Sequence, residues 1–284
     1  MLNTTKKAKV FAILDKLVYN LIMSLRTCVF GSGSKGNCIY VGSQKTNMII
    51  DVGLPATKIE KCLKVLGVNL DTVSVLITHE HSDHIKSLDK LISKYNLTVY
   101  ASVKSYAGIS ASCDVSKGNF VWFEDGDFFV GDVAVSAFEV SHDVPCVGYR
   151  FSCYGKKMAV ITDIGKITQS SLRCLTGCDL VVLESNHDCQ MLNCNKKYPP
   201  YLKKRILSGK GHLSNSDCAD CICTLVPQGT KQVILAHLSE ENNCPELAFE
   251  TVKDKLAENG YVEGKDVRVE VAYQDKISAL FEIN

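Results

Sequence analysis

Three of the chain's seven histidines fall within six positions, in the segment His79-Glu80-His81-Ser82-Asp83-His84. In an extended segment residues 79 and 81 point the same way, so their two imidazoles can grip one cation. Asp83 and His84 come at the turn into a helix, point elsewhere and suit a second cation close by. Imidazole and carboxylate without an obligatory thiolate favour Zn²⁺ or Mn²⁺ in a site that keeps open positions. Two such ions about 3.5–4 Å apart can share a water, lower its pKa and clamp both oxygens of a displacement. The chemistry implied by the spacing is metal-assisted hydrolysis.

The elements that must position these groups are short apolar runs, each followed by an acid or a histidine. NMII precedes Asp51, and VSVLIT precedes His79. VSAFEV precedes Ser141 and His142, and MAVIT precedes Asp163. VVL precedes Glu184, with His187 soon after, and VILA precedes His237. One polar residue after a strand is ordinary, because strands end in solvent. The recurrence predicts a single site along one edge of a sheet. Further strands are expected at TCVF, CIYV, LTVYA, VGYRFSC and VRVEVAY. Helices are expected over residues 56–66, 84–94, 168–175, 214–225 and 245–258. Ser82 is placed to cap the second of these, with Asp83 in its first turn. No Pro/Gly/Ser-rich break divides the pattern, which predicts one domain of layered sheets and helices.

Composition narrows the function classes. The chain has 284 residues, 46% of them hydrophobic, and a net charge of +1. Proteins that coat nucleic acid non-specifically are usually far more basic, so any nucleic-acid contact must come from a local patch. The fourteen cysteines are scattered through apolar runs, as in NCIYV and CICTLV. They read as reduced core residues of a cytoplasmic protein. The group Cys218, Cys221 and Cys223 also reads as core, since a structural zinc site needs four ligands. Residues 1–23 open with three lysines and turn apolar, but Asp15, Lys16 and Asn20 interrupt the run and no small-x-small cleavage site follows. They are expected to be an appendage, or else a short amphipathic helix on a domain spanning 24–284. No segment approaches the roughly 18 apolar residues of a membrane span.

THEHSDH with the later His142, Asp163 and His237 resembles the signature of the metallo-β-lactamase fold, over roughly residues 24–284. The resemblance implies an α/β, four-layer αββα sandwich. It implies that His79, His81 and His142 hold one divalent metal and that Asp83, His84 and His237 hold another. Asp163 would bridge the two. Asp51, in IIDVG, would support the site through hydrogen bonds to ligands.

Four further motifs, GSGSKGN (31–37), ESNHD (184–188), SGKGHLSN (208–215) and AHLSEENN (236–243), resemble the YycJ/WalJ branch of bacterial DNA exonuclease-like hydrolases. Lys35 departs from the serine that the first motif would carry there. The expected activity is therefore that of a phosphodiesterase on DNA, a 5′-to-3′ exonuclease using a metal-bridged hydroxide. The polarity comes from the resemblance and not from residue spacing.

Residue chemistry supports phosphate independently. His212 in KGHLS precedes a helix whose cap would be Ser214 or Ser216, and free amides at a helix start attract phosphate. Lys203, Lys204, Arg205 and Lys210 surround it in sequence. Asp83 is the candidate to orient or deprotonate the water, and His212 to donate to a phosphate oxygen or the leaving group. Lys203, Lys204, Arg205 and Ser214 are the candidate substrate contacts. His187 could line the site or cap the next helix. Gly31–Gly36 could form a nest of amides for an anion, or only a tight connection. The rival readings are a small-molecule hydrolase, which has no need of the basic run 203–210, and a non-catalytic metal-stabilised interaction protein, which has no need of open metal positions.

Overall fold

The computed structural model describes residues 24–124 and 126–283, so the expected appendage at 1–23 lies outside the described residues. The chain first lays down β1 (Leu25–Gly31), β2 (Cys38–Gly42), β3 (Asn47–Ile50), β4 (Val73–Leu76), β5 (Thr98–Ser102) and β6 (Asn119–Phe123). A second series follows: β7 (Gly126–Val130), β8 (Val133–Val140), β9 (Cys146–Cys153), β10 (Lys156–Ile161), β11 (Leu180–Glu184), β12 (Gln232–Ala236) and β13 (Arg268–Val271). Finally β14 (Phe281–Ile283) returns to pair with β1. The sheet orders are β14-β1-β2-β3-β4-β5-β6 and β13-β12-β11-β10-β9-β8-β7. In each, an antiparallel part joins a parallel part, at β3/β4 in the first and at β10/β11 in the second.

Side-chain alternation assigns the layers. In β11 every residue is buried. Leu180 and Val182 pack between the two sheets with Val29, Ile39 and Tyr149. Val181 and Leu183 face the helices on the other side. A parallel strand covered on both faces must read as a continuous apolar run, as LVVLE nearly does. Helices α1 (Ala56–Val65), α2 (Ser82–Ile85), α3 (Leu88–Lys94) and α4 (Tyr106–Ser112) cover the first sheet. The second sheet carries α5 (Gln169–Leu175), α8 (Asn215–Leu225) and α9 (Pro245–Glu258), with α6 (Cys189–Cys194) and α7 (Pro200–Ile206) beside them. The expected αββα sandwich is the fold observed.

The strands that end at Asp51, His79, His142, Asp163, Glu184 and His237 all run in one direction within their sheets. β3 and β4 are parallel, and so are β10, β11 and β12; β8 is restored to the same direction through the antiparallel β9. Asp51, Asp163 and His237 take left-handed backbone angles, φ of 61°, 54° and 56°. Non-glycine residues avoid this region at a cost of order 1–3 kcal/mol each. The chain adopts it at three strand ends that face one site.

The single helix expected over 84–94 is instead two, α2 and α3, and His81 rather than Ser82 occupies the cap position. The break has a backbone cause. The Asp83 carbonyl accepts from the Asn37 amide at 2.8 Å, and the Ser87 amide donates to the Val52 carbonyl at 3.0 Å, so neither serves the helix. Gly53 lies in the same loop, and a Cβ there would overlap the Asp83 carbonyl. Gly53→Ala should therefore lower stability by about 1–3 kcal/mol, as overpacking does, read as a fall in the urea midpoint at unchanged m-value. An unchanged midpoint would mean that this loop is not tightly seated.

All fourteen cysteines are free thiols, and only Cys189, Cys194 and Cys244 are exposed. Thiol titration with a chromogenic disulfide should show these reacting first in the native protein, with all fourteen reacting after unfolding without reductant. Native disulfides in that titration would contradict the packing.

Candidate metal centre

The histidine cluster presents nitrogen lone pairs to one another. His79 Nε2 lies 3.0 Å from His81 Nδ1, and His142 Nε2 lies 3.4 Å from the same atom. Burial depresses the pKa of both His79 and His142, so both rings are neutral at pH 7. Each ring is held by its other nitrogen. Thr78 Oγ1 spends its proton on Asp51 Oδ2 at 2.8 Å, so at 3.0 Å it can only accept from His79 Nδ1. His142 Nδ1 donates to the Gly211 carbonyl at 3.3 Å, and His81 Nε2 faces Asp143 Oδ1 at 3.5 Å. Three converging lone pairs with no proton to share are what a cation relieves.

A second set follows the same rule. His84 Nδ1 donates to Asp51 Oδ2 at 2.7 Å, and His237 Nδ1 donates to Glu184 Oε1 at 2.7 Å. Their free Nε2 atoms approach Asp83 Oδ2 at 3.4 and 3.8 Å. Asp163 lies between the sets: Oδ2 is 3.1 Å from His84 Nε2, and Oδ1 is 3.6 Å from His237 Nε2 and 4.0 Å from His142 Nε2. Asp163 Oδ2 and His237 Nε2 are buried and have no hydrogen-bond partner. An orphaned buried carboxylate oxygen and an orphaned imidazole nitrogen aimed at each other's neighbours fit a bound divalent ion. The ligand atoms of His79, His81 and His142 lie within 4.8 Å of one another, as do those of Asp83, His84 and His237. These are the two triads expected from the sequence.

Charge follows the same logic. Against the penalty of full burial, Asp163 and Asp51 push the His84 pKa well up. Against the same penalty, Asp163, Asp83 and Glu184 push His237 to about 10. Protons on these rings balance the carboxylates, and a metal ion would replace them.

Glu184, which follows the VVL run, has a role that spacing does not assign. It is fully buried, and burial alone would raise its pKa, but His212 and His237 hold it down at about 2. Its Oε1 accepts from His237 Nδ1 at 2.7 Å and from His212 Nδ1 at 2.8 Å. Its Oε2 accepts from the amides of Ile164 at 2.8 Å and Leu213 at 3.2 Å. With four donors in place it anchors the loops carrying Asp163, His212 and His237, although it also falls within ligand distance of them. Thr78 and Asp143 likewise act through neighbouring histidines. The only sequence signals for these three are a position at a strand end or beside a histidine.

Other expected residues fall differently. Ser214 was a candidate substrate contact, but its buried hydroxyl caps α8, accepting from the Asp217 amide at 3.1 Å and donating to Asp217 Oδ2 at 2.7 Å. His187 neither lines the site nor caps a helix. Asp188 caps α6, while His187 is buried, its backbone bridged to Ser214 and its ring nitrogens unpartnered. Lys203 Nζ donates to the Asn193 carbonyl at 2.6 Å. Arg205 grips the Asp143 carboxylate through Nε and Nη2. In the glycine loop the amides of Gly33, Lys35, Gly36 and Asn37 all bond within the protein, so they make no open anion nest. Lys35 forms an exposed ion pair with Glu240 at 2.6 Å. Asn37 carries the loop's contribution to the centre, with Nδ2 3.0 Å from His84 Nε2.

The centre opens into a cavity of about 240 Å³. His81, Asp83, His142, Asp163, His212 and His237 line it, together with Tyr198, Leu202, Arg205, Ile206 and Lys210 from the segment 198–210. Among the described residues no helix is long and apolar enough to cross a membrane.

The family described as "Beta-lactamase superfamily domain" matches residues 63–238. Exodeoxyribonuclease YycJ of Bacillus anthracis is 38% identical over 247 residues, covering 86% of this chain and 93% of that protein. Exodeoxyribonuclease WalJ of Streptococcus pneumoniae is 35% identical over 263 residues, covering 90% and 97%. The metallo-β-lactamase fold protein YhfI from Bacillus subtilis superposes with a TM-score of 0.69 at 14% identity, covering 91% of this chain and 99% of that one, a likeness of fold.

Elemental analysis tests the donor set. Asp163→Ala should bind at least one ion fewer than the wild type, and an unchanged metal content would remove its shared role. Glu184→Gln should keep the content at saturating metal but lose about 10- to 100-fold in affinity, read by competition with a chromophoric chelator.

Proposed function

The chain belongs to the β-lactamase superfamily domain family, and on that premise we propose that it is a metal-dependent phosphodiesterase acting on DNA as a 5′-to-3′ exonuclease. The observation that carries the reading is the identity of 38% and 35%, over most of both chains, to proteins named exodeoxyribonucleases. The geometry of the centre is consistent with that chemistry.

His79, His81 and His142 would hold one divalent ion, zinc or manganese, and Asp83, His84 and His237 another, with Asp163 available to both; when bound such ions would supply Lewis-acid activation of a water and neutralise phosphoryl charge. The protein's own groups do the rest. The Asp83 side chain is 23% exposed, the rest of it buried beside His84 and His237. Its pKa is held far below the carboxylate range, against burial, by His237 and His84. It stays ionised and can orient the attacking water. His212 Nδ1 is engaged by Glu184, which leaves Nε2 for the cavity. Against burial, Glu184 and Asp163 raise the His212 pKa, which favours the protonated ring, a donor through Nε2. That donor can serve a phosphoryl oxygen or the leaving group.

Of the basic run, Arg205 and Lys210 line the cavity and Lys204 is exposed beside it. Lys203 is the least suited to a phosphate, because its ammonium already holds the Asn193 carbonyl. The cytoplasm is the compartment in which so many free thiols persist.

Turnover on linear and closed-circular DNA tests the reading: the linear form should be degraded and the closed circle spared. Loss of both forms at equal rates would replace an exonuclease by an endonuclease. His212→Ala should keep its metal content and fold while kcat falls about 10²- to 10³-fold, by analogy with the loss of one oxyanion donor. A near-normal kcat, or loss of metal, would remove that role. Lys204→Ala should instead weaken binding and flatten the salt dependence by about one unit of slope, and Arg205→Ala by less, because its guanidinium is already paired with Asp143.

A further inference from the structure

Part of the lining of the cavity that holds the metal-site residues is apolar. Tyr198, Leu202 and Ile206 supply it, beside Arg205 and Lys210. Leu202 and Ile206 belong to α7, a helix with no buried residue. Their apolar surface is therefore not used by the core and is presented to the cavity.

The backbone at Tyr198 is restrained. It precedes Pro199 and Pro200, and a residue before proline is restricted to extended backbone. The segment around it is tied at several points. Asn195 Nδ2 donates to Asn242 Oδ1 at 2.7 Å, the Lys197 amide donates to Asn195 Oδ1 at 2.8 Å, and Lys203 Nζ donates to the Asn193 carbonyl at 2.6 Å. An aromatic residue on a restrained backbone loses less freedom on binding than one in an open loop.

A phosphate placed against Leu202 and Ile206 would lose its hydration and find no donor on those two side chains, whereas Arg205 and Lys210 beside them can meet its charge. A π-face would lose nothing, because any nucleobase stacks on an aromatic side chain. A cavity of about 240 Å³ is below the roughly 300–1,000 Å³ of ordinary ligand pockets and has space for one nucleoside, not for a stacked pair. A second hollow of about 480 Å³ adjoins it, sharing His142, Asp143 and Lys210, and is lined by Ser141, Thr168 and Ser170. Its hydroxyls and Lys210 suit a continuing sugar-phosphate chain, although the carboxylates of Glu139 and Asp143 also line it.

Resting on the exonuclease reading above, we infer that Tyr198, Leu202 and Ile206 form a subsite for the base of the terminal nucleotide. Its neighbouring phosphate lies at the metal-ligand wall, and the rest of the strand leaves through the adjoining hollow past Lys210. The terminal base enters alone, so it must part from any pairing partner before cleavage. Recognition by stacking makes the subsite tolerant of base identity.

The test compares two linear DNA substrates that differ only at the 5′-terminal residue, one with a normal nucleotide and one with a stable abasic residue. The wild-type protein, loaded with its metals, should use the abasic end with a KM raised about tenfold or more and a smaller change in kcat. Tyr198→Ala should show the raised KM on both ends and no preference between them, at unchanged metal content. Tyr198→Phe should behave as wild type. An active wild-type protein that uses both ends with equal KM, or a Tyr198→Ala variant that keeps the wild-type preference, would overturn the subsite. If the wild type degraded neither substrate, the exonuclease reading itself would fall, which is a different result.

Discussion

Two buried carboxylates, one from each sheet, hold the centre together. Asp51 follows β3 and Glu184 ends β11, and neither can shed its charge cheaply into the interior. Each is satisfied by N–H and O–H donors that include the metal-site histidines. Asp51 takes the Thr78 amide and hydroxyl and His84 Nδ1. Glu184 takes His237, His212 and the amides of Ile164 and Leu213. Because each imidazole spends Nδ1 on its carboxylate, the Nε2 atoms of His84 and His237 are left to face Asp83 and Asp163, where a metal ion would replace the Nε2 proton. The same need to be satisfied that makes a buried acid costly therefore sets the tautomers of the ligands. It also accounts for the left-handed backbone at Asp51, Asp163 and His237, a strain that the surrounding bonds hold in place.

The parallel strand ends were legible in sequence because a strand that must be buried is written as an apolar run, and the residue after it stands out. That is why His79, His81, Asp83, His84, His142, Asp163 and His237 could be placed together before any coordinates. Glu184 stood in the same pattern but could not be given a role, because its partners come from loops after three different strands. Asp143 and Thr78 carry no signal beyond standing next to a histidine. His187 and Ser214 show the converse. Both sit in motifs near the site, yet a backbone bridge and a helix cap take them up. The break between α2 and α3 was also unreadable, since it arises where Asn37 and Val52 compete for helix backbone groups. The edge strands β6, β7 and β14 were missed for a related reason: they are short, and their register is imposed by β5, β8 and β1.

The cavity lining has two sources. The strand ends supply the histidines and carboxylates of the proposed metal centre, and the loop before α8 supplies His212, the proposed donor. The segment from Tyr198 to Lys210 lies outside the core and supplies apolar surface with a basic rim. Arg205 couples the two through Asp143, whose carboxylate lies 3.2 Å from His142 Nε2. The proposed metal ligands thus come from buried strand ends, and the apolar part of the lining comes from a helix with no buried residue.

The central claim is that the protein presets which nitrogen of each histidine is free. Long-range ¹H–¹⁵N correlation spectra of the zinc-loaded protein, with its seven histidines labelled, read this directly. The account predicts protonated Nδ1 and metal-bound Nε2 at His79, His84, His142 and His237, with the reverse arrangement at His81. Protonated Nε2 at His84 or His237 in the loaded protein would contradict it, because Asp51 and Glu184 would then not be holding the ligands.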